Sequence, residues 1–404
     1  MTSLPPLPLL LAGPILRRVE PGLVTVWVAL SRAASVGLTL WEGRVKAGAP
    51  SPHARSSPDA ATLRVGAHLH ITTVTLSIAP TSAKRLRPGQ LYAYDITITE
   101  STSGKQHNLA SLDLLRDGPT RNGSADALAK AHLALGHRDD FLPSFALPPE
   151  RLEDLQVAYG SCRRLINVHD DAMVWLDDLL LVNDNYDNPT RRPHQLFLGG
   201  DQIYADDVSF VHLQVLNRLG KQLIGTVPVP LEHDFQTDTT GSIEHLLVDH
   251  AMERVTTTGS FPDGYLPVEG TQRLPADLMN FPAAHRLDLT RKEAQLTSTD
   301  GHSHLLSLGE FAAMYVSVWS NACWPDPDDW PVLAEFMPSH ERPPMLPQHL
   351  TPALRLDQDD KLDERTRAYH REVSDLNRFA AGLPKVRRAL ANIPTYMVFD
   401  DHDV

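Results

Sequence analysis

The sequence predicts a chain of mixed α and β structure, in which an antiparallel β-sandwich is followed by an α/β domain. Two patterns support this fold class. Residues 1–100 alternate apolar and polar side chains with a period of two, which is typical of half-buried strands. Beyond residue 150, short apolar runs end in glycine or polar residues, and a helical pattern separates the first two runs. At 404 residues, 42% of them hydrophobic, the chain is long enough for roughly two or three domains.

The N-terminal strands are predicted from three alternating stretches. These are Val24–Leu30, Val36–Leu40 and Tyr92–Ile98, and the turn sequences EPG, WEG and RPGQ lie between such runs. Residues 1–121 therefore predict a β-sandwich of the immunoglobulin or fibronectin type. Residues 122–149 are polar and rich in proline, and they predict a linker with a short helix around Ala125–Leu135.

Three later segments share one design, a buried strand that ends in chemically active residues. They read LQVAYGSCRR, HQLFLGGDQIYADD and TYMVFDDHDV. A helix is predicted between the first two, over Asp171–Leu181. Ligands in α/β folds collect at the carboxyl ends of the strands. We therefore expect the three segments to converge on one site.

Composition argues against several classes of partner. The chain carries 37 Lys and Arg against 50 Asp and Glu, a net charge of -13, so no nucleic-acid binding is expected. No uninterrupted apolar run approaches the roughly 20 residues that a transmembrane helix needs. The two cysteines, Cys162 and Cys323, are too few for a disulfide framework and predict a reducing, cytoplasmic setting. The oligomeric state stays open.

The polar residues of the three segments predict a metal site. Asp201, Asp401, Cys162 and Tyr204 would form an anionic cluster that is costly to bury without cations. Mixed sulfur and oxygen ligands suit a transition metal, and the additional carboxylates suit a hard ion such as calcium or magnesium. Two such ions activate a hydroxide and stabilise an in-line phosphoryl displacement.

Three motifs resemble those of a known family. GSCR, GGDQIYADD and IPTYMVFDDHDV are similar to the ordered motifs of the PhoD-like metallophosphoesterases, the alkaline phosphatase D group, and the predicted β-sandwich resembles the N-terminal domain of that family. The resemblance implies a metallophosphoesterase-like α/β sandwich over residues 150–404. Within it, residues 221–351 are rich in proline, threonine and histidine and show few strand signals, which predicts an insertion. It implies a metal-dependent phosphomonoesterase or phosphodiesterase that acts on a small phosphate ester or a lipid.

The resemblance also implies residue roles. Cys162, Asp201 and Tyr204 would bind Fe3+, with Ca2+ nearby, and other divalent cations would also fit. Asp401 would be a further ligand. The metal-activated hydroxide would attack phosphorus, and His402 would contact the scissile phosphate or assist the leaving group.

Other interpretations of single residues stay open. Arg163 and Arg164 would either hold the substrate phosphate or form solvated or structural ion pairs. Asp206 and Asp207 are expected to serve the N-terminus of the following helix. The GHSH stretch at 301–304 resembles a metal motif but precedes the DDH segment, so we interpret it as the start of a helix.

A second function class also stays open. Members of the family continue beyond the DDH motif to a histidine-containing GDxH-type motif, which has no counterpart here, so the C-terminal part of the domain is expected to be missing. This polypeptide alone is then expected to hydrolyse aryl phosphates poorly. The alternative is an inactive or incomplete metallophosphoesterase-like protein that acts as a binding module.

Overall fold

The computed structural model describes residues 6–118, 132–166, 170–225, 303–331 and 352–404, without the side chains of 352–365. Its strands are β1 Leu10–Glu20, β2 Leu23–Leu30, β3 Ala34–Glu42, β4 Ala54–Arg55, β5 Ala60–Ala61, β6 Leu63–Gly66, β7 Leu69–Ser77, β8 Leu91–Glu100, β9 Gln106–His107, β10 Ser144–Ala146, β11 Val157–Gly160, β12 Gln195–Leu198 and β13 Thr395–Met397. Its α-helices are α1 Val174–Leu181, α2 Phe210–Ile224, α3 Leu308–Trp319 and α4 Pro352–Asn392. No described helix combines the length and apolar character needed to cross a bilayer. The protein is thus of the mixed α and β class that the sequence predicts.

Two antiparallel sheets form the N-terminal part. One has the strand order β1-β2-β7-β6, and the other has the order β10-β8-β3-β4, with β5 beside β3 and β9 beside β8. Buried side chains from both sheets meet in one apolar cluster, to which Val26, Leu38 and Ile96 belong. The three predicted strand stretches are confirmed. The immunoglobulin or fibronectin type stays a prediction.

A three-stranded parallel sheet follows, in the order β11-β12-β13. Its register pairs Gly160 with Leu198 and Leu198 with Met397, so the three strands end at the same edge. One face of the sheet, which includes Leu196 and Leu198, packs into the core formed with the helices. On the opposite face Tyr159 is exposed. The predicted convergence of the three segments is confirmed at this edge.

Helix α4 runs through Gly382 and Pro384, although both residue types usually interrupt helices. Pro384 lacks one backbone donor, yet apolar residues on both sides of it, such as Leu383 and Val386, are fully buried, and this packing outweighs the lost hydrogen bond. The short helix predicted around Ala125–Leu135 falls mostly outside the described residues, and its last four residues are not helical. Most of the predicted 221–351 insertion also lies outside them.

The buried guanidinium of Arg192 joins the N-terminal sheets to the parallel sheet. It donates hydrogen bonds to the hydroxyl and carbonyl of Ser144 in β10, to the carbonyl of Tyr186 at 2.9 Å, and to the carbonyl of Asn392 at the end of α4 at 2.7 Å. Arg192 is fully buried. One side chain therefore fixes the chain just before β12 and just before β13.

We expect Arg192→Met to lower the free energy of unfolding by about 3 kcal/mol, because three buried carbonyl groups would lose a charged donor. The exposed neighbour Arg191 offers a matched control, and Arg191→Met should change stability by less than about 0.5 kcal/mol. Urea unfolding measures both. Equal stability of the two variants would contradict the assigned role of Arg192.

A second expectation concerns Asp95 in β8. Burial raises the pKa of this carboxyl to about 6, although Oδ1 accepts hydrogen bonds from the backbone N–H groups of Ile96 and Leu109. Its pKa in the unfolded chain is about 4, so the folded state holds the extra proton between these values and stability falls as pH rises from about 4 to 6. Asp95→Asn keeps the acceptor and removes the charge. It should match the wild type at pH 4 and exceed it by about 2 kcal/mol at pH 8, measured by urea unfolding. A constant difference across this range would contradict the assignment.

Candidate metal centre at the carboxyl edge of the parallel sheet

Backbone hydrogen bonds join the loops after β11 and β12, and each loop contains a residue in a left-handed conformation. Cys162 and Asp201 both adopt left-handed φ values, 60° and 52°, which are uncommon for non-glycine residues. The backbone N–H of Cys162 donates to the carbonyl of Gly200 at 3.2 Å, and that of Arg163 donates to the carbonyl of Asp201 at 2.9 Å. A Cβ at Gly200 would lie 2.4 Å from that of Asp400, so only glycine fits there. The loops after β11 and β12 are thus hydrogen-bonded to each other, and the β12 loop packs directly against the segment after β13.

The carboxylate of Asp403 joins the β12 and β13 loops. Asp403 is 2% exposed. It accepts hydrogen bonds from the backbone N–H groups of Asp201 at 2.9 Å, Gln202 at 2.8 Å, Ile203 at 3.2 Å and Asp400 at 3.0 Å. The hydroxyl of Tyr315 in α3 donates a fifth bond at 3.1 Å. Asp403 was not among the predicted site residues. Its position directly after the DDH motif was the only sequence signal for it.

Three predicted site residues come together as possible metal ligands. One ligand atom each from Asp201, Asp401 and His402 lies within 4.8 Å of the others. Asp201 is buried: its Oδ2 accepts a hydrogen bond from Sγ of Cys162 at 3.3 Å, and its Oδ1 accepts one from the backbone N–H of His402 at 3.3 Å. Asp401 is exposed. Two carboxylates and an imidazole form a donor set that fits a divalent or trivalent cation.

Cys162 and Tyr204 lie against the same carboxylate. Burial raises the pKa of Tyr204. A hydrogen bond to Cys162 and the nearby Cys162 and Asp201 side chains raise it further, while Arg164 opposes the shift. The ring of Tyr204 also stacks on the imidazole of His402, with 4.5 Å between the centroids. The predicted sulfur and phenol ligands are therefore next to the Asp201 cluster, where a cation would offset their mutual repulsion.

Asp206 orients the imidazole of His402. Its Oδ1 lies 2.7 Å from Nδ1 of His402, and this hydrogen bond raises the pKa of the histidine although burial opposes the shift. With Nδ1 engaged, Nε2 is the nitrogen that can face a metal or a substrate, as in many metal sites in which a carboxylate holds the distal nitrogen. The expected helix-terminus role of Asp206 is wrong, because α2 begins at Phe210 and is capped by Ser209.

The two arginines have different environments. Arg163 is buried and donates two hydrogen bonds to Oδ2 of Asp171, at 2.6 and 3.0 Å, and another to the carbonyl of Val318. The structural ion pair that the sequence left open is the arrangement observed for Arg163. The side chain of Arg164 is half exposed and forms an ion pair with Asp207. Asp207, like Asp206, precedes α2 and is not part of it. Of the two arginines, Arg164 is the one that can reach a ligand from solvent.

The GHSH stretch is partly described. Gly301 and His302 lie outside the described residues, whereas Ser303 and His304 are buried. Nδ1 of His304 lies 2.7 Å from the carbonyl of Leu305. The helix α3 begins at Leu308, after Ser307, whose side chain accepts a hydrogen bond from the N–H of Glu310 in a capping box. The expected helix start is thus confirmed a few residues later than Ser303.

The comparisons with known proteins are negative. No protein-family model matches the chain, and no curated protein matches it significantly. The family resemblance therefore depends on the three sequence motifs alone.

The hydrogen bonds of Asp403 lead to a prediction for neighbouring acids. We expect Asp403→Asn to lower the free energy of unfolding by about 3 kcal/mol, because an amide presents a donor where buried N–H groups need an acceptor. Tyr315→Phe, which removes one bond, should cost about 1 kcal/mol. The exposed Asp401 is the matched control, and Asp401→Asn should leave stability within about 0.5 kcal/mol of wild type. Urea unfolding would contradict this ranking if Asp401→Asn were as costly as Asp403→Asn.

Proposed function

We propose that the protein is a metal-dependent hydrolase of phosphoric esters of the PhoD-like metallophosphoesterase type. The observation that carries the proposal is the convergence of Cys162, Asp201, Tyr204, Asp401 and His402 at one edge of a parallel sheet. These are the residues that the motif resemblance names, and they come from three separate segments of the chain. In this proposal the first four hold the cations, and Nε2 of His402 faces the leaving group instead of a cation. In this proposal the N-terminal sheets are the immunoglobulin-like or fibronectin-like sandwich of that family.

The donor atoms of the site suit two kinds of cation. Cys162, Asp201 and Tyr204 offer sulfur, carboxylate and phenol donors, which suit Fe3+, and the exposed carboxylate of Asp401 suits a hard ion such as Ca2+ beside it. When bound, such cations polarise phosphoryl oxygens and lower the pKa of water. The protein fixes the position of the Asp201 carboxylate, because this group accepts hydrogen bonds from the backbone N–H of His402 and the thiol of Cys162.

His402 is the proposed acid for the leaving group. Oδ1 of Asp206 lies 2.7 Å from Nδ1 and raises the pKa of His402, so Nε2 is the nitrogen that would give a proton to the leaving group. In the overall reaction water supplies the new oxygen on phosphorus and releases one proton to solvent, the ester P–O bond breaks, and the departing oxygen takes the proton from Nε2, which solvent then restores. Stacking on Tyr204 keeps the imidazole plane in place during this transfer. Arg164 is positioned to contact a phosphate oxygen from the solvent side.

Cation binding is the first test. We expect the purified protein to retain iron or calcium after dialysis, and to lose both the cation and any hydrolysis of p-nitrophenyl phosphate on treatment with a chelator. Asp201→Asn should weaken cation binding by about tenfold or more, because it removes a buried ligand. Glu153→Gln, at an exposed acid away from the site, is the control and should bind as wild type does. Elemental analysis and equilibrium dialysis provide the measurement.

Hydrolysis that survives chelation would contradict the metal mechanism. Cation binding without turnover of any phosphate ester would instead support the binding-module alternative.

The role of His402 is tested by the dependence on the leaving group. His402→Ala should slow hydrolysis of phenyl phosphate by about 100-fold or more, because phenoxide needs a proton as it departs. It should slow hydrolysis of p-nitrophenyl phosphate much less, because p-nitrophenoxide is a stable anion. The exposed His370 on α4 supplies the matched control, and His370→Ala should leave both rates unchanged. Equal loss with both esters would assign His402 to metal or phosphate binding instead.

A further inference from the structure

A cavity of about 220 Å³ lies beside the candidate metal centre. It is bounded by the loop after β11, the first turns of α1 and part of α4. Leu165, Met173, Leu176, Leu198 and Phe379 form its apolar lining. The metal centre described above does not account for this space.

The cavity and the metal centre share part of their walls. Cys162 lines the cavity, and its Sγ donates to the carboxylate of Asp201 at 3.3 Å. Gln202, which follows Asp201 directly, lines it too. A phosphate held at the metal centre would therefore have an apolar space next to it, on the side of the β11 loop.

The charged groups and Gln202 in the described lining already have partners. Arg163 is paired with Asp171, and Nε2 of Gln202 donates to the carbonyl of Gly200 at 3.1 Å. On the more exposed side, the guanidinium of Arg378 is paired with Asp375 and lies 3.8 Å from Asp170. An ionic group that entered would have to break one of these pairs, whereas an uncharged group would not.

The size of the cavity indicates which uncharged group would fit. An apolar protein cavity of about 150 Å³ is sufficient to bind benzene. A volume of about 220 Å³ therefore accommodates an aromatic group of one ring or two fused rings, or a short alkyl group. Burying the ring against Met173, Leu176 and Phe379 would contribute binding free energy in proportion to the apolar area removed from water.

We propose that this cavity binds the uncharged aryl or short alkyl group of the phosphate ester, and that Leu176 sets the size it accepts. The proposal rests on the proposed hydrolase function for the position of the phosphate. The binding of the organic group itself does not depend on turnover, so the two can be tested separately.

The test fills the cavity from α1. Leu176→Trp places a larger side chain in the space, whereas Leu179→Trp adds the same side chain on the exposed surface of the same helix. Equilibrium dialysis with 1-naphthol measures occupation of the cavity without catalysis. We expect wild type and Leu179→Trp to bind 1-naphthol alike and Leu176→Trp to bind it about tenfold more weakly or worse. The KM for 1-naphthyl phosphate should rise similarly in Leu176→Trp, while that for methyl phosphate should stay unchanged.

A second variant guards against misfolding of the first. Leu176→Ala enlarges the space, so it should shift preference from phenol towards 1-naphthol by about tenfold. Wild-type protein that does not bind 1-naphthol, or variants at Leu176 that bind it as wild type does, would overturn the proposal. If the binding differences are found but no form of the protein hydrolyses any ester, the proposed hydrolase function fails while the cavity stands as a binding site for apolar groups.

Discussion

The buried carboxylate of Asp403 is the interaction on which the rest of the site depends. Its two oxygens accept four backbone N–H bonds and one hydroxyl bond, so the loops after β12 and β13 have a single relative position. That position sets the left-handed conformation of Asp201 against the backbone of His402. The hydrogen bonds offset the desolvation cost of burying this carboxylate, and a substitution that removed them would leave buried N–H groups without an acceptor. The rigidity of the candidate centre follows from a residue that does not itself need to bind a metal.

Burial divides the acids of the site by task. Asp403 and Asp206 lie beneath the surface and orient backbone and imidazole, while Asp401 is exposed and Asp201 lies between the loops and the proposed cation. The same division explains the arginines. Arg163, fixed between Asp171 and the rings of Trp319 and Phe379, supports the wall of the adjoining cavity, and Arg164 remains accessible. Residues that are alike in sequence thus act on different parts of one centre.

The sequence predicts the strands and the polar residues at their ends better than it predicts the supporting residues. Alternating patterns located the N-terminal strands, and apolar runs that end in glycine or polar residues located the three strand ends. The acids at 400, 401 and 403 are chemically equal in sequence, and only the tertiary fold separates the buried Asp403 from its exposed neighbours. Asp206 was assigned to a helix because the start of α2 was placed too early. Pro384 lies inside α4 because contacts with the core outweigh the local preference of proline to end a helix.

The span of chain that the centre brings together affects the stability of the whole domain. The bond between Asp201 and Asp403 links positions 202 residues apart, a contact whose loop-closure entropy the folding chain must overcome. A cation bound by ligands from both ends of this span binds the folded state and not the open chain. By mass action it adds to the free energy of unfolding as its concentration rises above the dissociation constant. For the proposed metal site, cation concentration and resistance to unfolding would therefore be thermodynamically linked.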